Sequence, residues 1–235
     1  DCYLIEETTH RLATAMGADW ADVLVHANAI VISISVNGAY LTKSRRAPDR
    51  GVNMMVVQRI YQLRLDLSEH PHTAIQAMDK VEKTLLDFKV AGKHHYPRWL
   101  VVILIGLSCA AFARLFGGDY TIFAITALAA GAGMAVRQQL AKRHVNLYLT
   151  VFSTALVATL IASCAPIFGL GNKPEIAIAA SVLLLIPGVP LTNAFSDLIR
   201  GFTLVGLARG TIGALITLSI ALGMLLAMMI LGVKV

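Results

Sequence analysis

The chain has 235 residues, of which 57% are hydrophobic and only 14% charged, where an average soluble domain carries roughly 25% charge. That composition excludes a disordered chain, a disulfide-stapled secreted module and an ordinary soluble two-layer domain. Residues 1–98 hold 12 Lys/Arg and 11 Asp/Glu, whereas residues 99–235 hold 8 and 3, too little polar cover to fold in water.

The expected architecture is therefore a small cytoplasmic α/β domain over 1–98, followed over 99–235 by an α-helical polytopic membrane bundle of five transmembrane helices. In the first part, Leu4, Ile5, Thr8, Leu12 and Ala15 recur at helical spacing, predicting a helix over 3–16 that ends at Gly17. Segments 21–27 and 30–36 are rich in Val and Ile and read as strands. Asn37-Gly38 then accepts the positive φ of a two-residue hairpin turn leading into a strand over 39–45. Segments 52–68 and 71–90 return to helical spacing; the second opens with Pro71, carries Asp79 and Lys83 at i,i+4, and stops before Gly92. The basic run from Lys43 to Met54 reads as a strand end, an X-Pro turn and a helix start. Its sharper alternative is a surface that attracts anions or lipid headgroups.

A helix needs about 20 apolar residues to cross a hydrocarbon core of about 30 Å. Five stretches qualify, at about 99–116, 120–136, 147–167, 176–196 and 210–233. Tyr96 and Trp99 suit an interfacial anchor, and Gly131, Gly133 and Gly206-x-x-x-Gly210 suit close helix packing. Lys93, Arg98, Arg137, Lys142, Arg143, Arg200 and Arg209 fall on one side of these spans; Arg114, Lys173 and Lys234 fall on the other. Seven against three places the N-terminal domain in the cytoplasm and the C-terminus outside. The net charge of +6 thus marks orientation towards membrane lipid, and no nucleic-acid partner is expected.

Little points to enzyme chemistry. The three cysteines make no disulfide framework, and Cys109 and Cys164 lie in apolar runs where thiols act as small hydrophobes. His70/His72 and His94/His95 lack neighbouring ligands at zinc spacing, so no metal or other cofactor is expected. Neither a P-loop nor a G-x-S-x-G nucleophile is present. The sequence opens on Asp1 rather than Met, as a chain with residues further upstream would, and its first residues show no signal-peptide pattern.

The fourth span carries the candidate site. Pro187-Gly188-Val189-Pro190 places two prolines and a glycine inside an apolar run, which predicts a broken helix with free backbone groups. Transporters build substrate sites from such discontinuous helices. Asn193 and Asp197 follow at i,i+4 on one face, with Arg200 three residues on as the expected partner of Asp197. Pro187, Gly188, Pro190, Asn193, Asp197 and Arg200 form the candidate substrate-binding set. The alternative leaves Asp197 and Arg200 as solvated charges in a short surface link.

SVLLLIPGVPLTNAFSDLIRG resembles the PGxPLxNAxxD segment of the bacterial threonine/serine exporter (ThrE-like) family. NAIVISISVNGAYLT, DRGVNM, YPRWLVVILIGLSCA, VRQQLAKRH and VGLARG are similar to the larger subunit of its split, two-subunit branch. The resemblance implies a cytoplasmic domain followed by five spans. It also implies a hetero-oligomer with a second small membrane subunit of the YjjB type, exporting a small carboxylate, with succinate first. Fused members imply threonine or serine instead. A non-transporting scaffold with a cytoplasmic interaction domain is the reading of a different class. Five spans put the termini on opposite sides, so a partner half with its N-terminus outside would be inverted, as in inverted-repeat transporters.

Overall fold

The structure, a computed structural model, describes residues 1–26, 28–47, 53–69, 72–91 and 96–233. Residue 27, the 48–52 part of the basic run, His70, Pro71, Gly92, Lys93, His94, His95 and Lys234 lie outside the described residues. The chain divides into two compact units, Asp1–His95 with Val189–Gly210, and Tyr96–Gly188 with Thr211–Val235.

The first unit opens with α1 (Cys2–Ala15), which stops where Gly17 takes φ 93° and Ala18 N–H closes back on the Ala13 carbonyl. Three antiparallel strands follow in the order β1 (Trp20–Val25), β2 (Ala29–Val36) and β3 (Ala39–Arg46). Asn37 and Gly38, at φ 51° and 78°, make the tight turn that sets Val36 opposite Ala39. Alternate β1 residues Ala21, Val23 and Val25 point inward, and Val23 and Val25 join Cys2 and Val205 in one apolar cluster. β3 is exposed throughout, and its Lys43, Arg45 and Arg46 give a sheet edge charges that discourage further pairing. Helices α2 (Met54–Glu69) and α3 (Ala74–Ala91) complete the N-terminal part.

The second unit is built from α4 (Arg98–Leu115), α5 (Tyr120–Lys142), α6 (Leu147–Ala162), α7 (Cys164–Ile167) and α8 (Pro174–Ser181), with a 3-10 turn at Leu183–Leu185. Helix α9 (Gly188–Ile199) leads into α10 (Thr203–Leu231), whose first turns belong to the first unit and whose remainder belongs to the second. Among the described residues four helical segments are long and apolar enough to cross a membrane, and five if α8–α9 counts as one broken span. Two helices exceed their expected apolar limits. RQQLAK extends α5 to Lys142, and α10 starts at Thr203, because Ala, Leu, Gln, Lys and Arg are good helix formers whether or not they are apolar. Arg137, Lys142 and Arg209, expected in links, therefore sit on helices. Cys164, expected to pack as a buried hydrophobe, is exposed.

Small residues make the bundle close-packed. Ala110, Ala113, Ala129, Ala130, Ala155, Ala158 and Ala162 are buried, and glycines bring backbones together. A Cβ on Gly106 would lie 2.6 Å from the Ala127 carbonyl oxygen, and one on Gly223 would lie 2.5 Å from that of Phe152. Gly133 meets Ala158 and Thr154 as its spacing suggested, whereas a Cβ on Gly131 would have ordinary room, 3.7 Å from Val102. Gly223→Ala should therefore destabilise the protein. The helix-propensity gain of about 1 kcal/mol is outweighed by overpacking of about 1–3 kcal/mol against backbone that cannot swing aside. Thermal unfolding in detergent would check this with Gly131→Ala alongside, which should be neutral or slightly stabilising.

Candidate functional site

The expected break in the helix is present and lies at Pro187, between α8 with its 3-10 turn and α9. Helix α8 ends at Ser181, the chain tightens through the 3-10 turn, and Ile186 takes φ −58° and ψ 122°, the extended setting imposed by a following proline. Pro187 is buried. The other two residues of the motif differ from expectation. Pro190 lies in the first turn of α9, where a missing N–H costs nothing, so it helps to start a helix rather than break one. Gly188 keeps a negative φ, and a Cβ there would meet nothing within 4 Å, so the turn does not depend on glycine.

α9 is inside out relative to a soluble helix. Ala194 and Asp197 are buried and Asn193 and Ser196 half-buried, while Phe195 and Ile199 are 67% and 71% exposed. An outward apolar face suits lipid or an apolar partner. Twelve residues span only about 18 Å, short of a bilayer core.

Asp197 is fully buried and fully engaged. Its Oδ1 accepts the Cys2 backbone N–H at 2.8 Å, and its Oδ2 forms an ion pair with Arg209 Nη1. The same Arg209 nitrogen lies 3.7 Å from Cys2 Sγ. Ser196, one residue earlier, donates to Asp1 Oδ2 at 3.2 Å. Helix α9 ends just beyond, where Gly201 takes φ 86° and Phe202 N–H returns to the Asp197 carbonyl at 2.8 Å. That turn folds α10 back along α9, with Gly206 against Leu198 and Ala194, and so delivers Arg209 to Asp197. Arg200, the expected partner, instead places its guanidinium 4.4 Å from the Tyr3 ring centroid. The acidic face thus clasps α1, α9 and α10 together within the first unit. Burial pushes the Cys2 thiol above its ordinary range, the Arg209 guanidinium working against that shift, so Cys2 remains a protonated packing group.

A residue read in the sequence only as an orientation charge sits at the break. Arg137, half-buried on α5, donates from Nη1 to the Leu184 carbonyl at 3.4 Å. Leu184 has this oxygen to offer because Gly188 N–H closes on Ile186 instead of reaching back to it. Its only sequence signal was Arg137 at helical register behind Gly133 and Ala130, in a segment able to continue the helix. Arg114 donates to the Gly118 carbonyl at 2.6 Å and lies over Tyr120, which makes it a helix-end group.

Elsewhere in the second unit, Thr126, Thr159 and Ser163 carry buried hydroxyls without a hydrogen-bond partner among the described residues, although Thr154 and Ser181 bond back to carbonyls of their own helices. Among the described residues no group of three His, Cys, Asp or Glu side chains is placed to hold a metal.

Residues 1–231 match the sequence family described as "Putative threonine/serine exporter". A relative from Escherichia coli K12, named "Probable succinate transporter subunit YjjP", is 39% identical, the alignment covering 98% of this chain and 88% of the relative. A Klebsiella aerogenes protein of the same name is 38% identical over 98% of this chain and 87% of its own length. A Mycobacterium tuberculosis protein named "Probable threonine/serine exporter" is 27% identical over 65% of this chain and 28% of its own length. No solved structure matches the chain.

Proposed function

Since the chain belongs to the threonine/serine exporter family, we propose that it is one half of a bacterial inner-membrane exporter of small carboxylates, with succinate as first substrate. The names of its family and of the relatives above are those of transporters rather than enzymes, and its long apolar helices support a multi-pass membrane protein. The observation that carries the substrate reading is the likeness, over 98% of the chain, to a protein named as a succinate transporter subunit. The helix broken at Pro187 supports transport, because a span with free backbone groups is what such sites are made from.

The second half is a YjjB-like subunit. With α8–α9 counted as one span, this chain has five and its termini face opposite sides, the N-terminal domain in the cytoplasm. A partner of inverted orientation completes an inverted-repeat arrangement. Threonine or serine is the second reading, favoured by the Mycobacterium tuberculosis relative's name. A non-transporting scaffold is the third.

Counterflow in proteoliposomes holding this chain with and without the partner half decides among them. Labelled succinate should exchange only when both halves are present. Exchange confined to threonine and serine would move the assignment to amino acids, and no exchange of any small acid would favour the scaffold.

A further inference from the structure

We propose that Arg137 is the group that binds a substrate carboxylate, holding it against the break in the α8–α9 span. The inference rests on the transport reading above and adds the residue and the contact.

Arg137 is the eighteenth residue of α5, so it lies about 26 Å along a helix about 34 Å long, a turn and a half before the end at Lys142. Its guanidinium carries five N–H donors in a planar fork. The contact at 3.4 Å to the Leu184 carbonyl is a long, single hydrogen bond that uses one of them. Among the described residues Arg137 has no carboxylate partner. The second unit has two acidic residues, and both lie at helix starts away from Arg137. Asp119 caps α5 at the far end, accepting from Ile122 N–H at 2.9 Å, and Glu175 lies in the first turn of α8, nine residues before Leu184. Asp197, in the first unit, is taken by Arg209.

A half-buried cation in an apolar bundle is costly without a counter-ion, and bidentate pairing to a carboxylate is the interaction for which its geometry is best suited. The Leu184 carbonyl holds the guanidinium at the break, and α4 packs against the same 3-10 turn. A carboxylate arriving there completes the charge balance that no side chain of this unit provides.

The test is initial-rate counterflow of succinate by the complete two-subunit complex in proteoliposomes, with wild type, Arg137→Gln and Arg137→Lys. Charge-assisted hydrogen bonds contribute about 1.5–3 kcal/mol, which converts to a rise in KM of about 10- to 150-fold for Arg137→Gln. Vmax at saturating succinate should fall much less. Arg137→Lys, which keeps the charge but not the fork, should recover part of the KM. Thermal unfolding and size-exclusion profiles of both variants should match wild type. A KM within twofold of wild type in Arg137→Gln, with wild type active, would overturn this inference and leave the transport reading standing. So would a loss of folded protein in both variants, which would make Arg137 a structural group. Wild type that moves no carboxylate would overturn both.

Discussion

Asp197→Ala should cost the protein about 3–5 kcal/mol of stability, because it leaves a charged partner partly buried with nothing opposite it. Arg209 loses its carboxylate, and the Cys2 N–H loses the acceptor that ties the start of α1 to α9. At about 2–4 °C per kcal/mol for a chain of this length, the melting temperature should fall by roughly 6–20 °C. Asp197→Asn should fall between that variant and wild type, since an amide oxygen still accepts from Cys2 but cannot balance the guanidinium. The paired change Asp197→Leu with Arg209→Met removes both charges and should be close to wild type or more stable, as replaced buried ion pairs often are. Thermal unfolding of the detergent-purified chain checks all three. A single Asp197→Ala variant as stable as wild type would mean that the pair is not a clasp. The paired variant has a second use: if it folds and still exports, Asp197 lies outside the substrate path, and if it folds and does not, the acidic face belongs to that path.

Succinate trapped in proteoliposomes with the complete complex should redistribute strongly when a potassium diffusion potential of 100 mV, inside negative, is imposed. Moving one charge through that potential is worth about 2.3 kcal/mol, so a dianion leaving gains about 4.6 kcal/mol. At equilibrium this corresponds to an outside-to-inside ratio of about 2,000. The number counts charges. Export with one proton leaves one net charge and a ratio of about 50, and export with two protons abolishes the dependence. A zwitterionic amino acid moving alone shows none. The chain carries no nucleotide-binding motif, and the potential is large enough that a dianion needs none. A ratio that stays near one while counterflow remains active would rule out electrogenic export.

The hairpin and the first helix show what local sequence can carry. Asn37-Gly38 specifies its turn because the φ values it needs are forbidden to most residues, and Gly17 ends α1 for the same reason. The apolar stretches located four helices long and apolar enough to cross a membrane, and a fifth if α8–α9 is one bent span, because a hydrocarbon core demands about 20 apolar residues whatever the neighbours are. Pro187 located the break because a proline constrains the residue before it wherever it sits. Helix ends were less legible. Arg137 and Arg209 read as link residues because a charge ends an apolar run without ending a helix, whose backbone goes on coiling through good helix formers.

Composition, periodicity and the proline motif by themselves determined a chain of long apolar helices with a small mixed N-terminal domain, a hairpin and a helix broken at Pro187. Tertiary structure alone decided that Asp197 pairs with Arg209 rather than Arg200, that Arg137 meets the freed Leu184 carbonyl, and that Gly106 and Gly223 admit neighbouring backbones. Those contacts join positions 12, 47 and some 20 to 70 residues apart. No short-range periodicity reaches across such distances; only the path of the folded backbone brings them within bonding range.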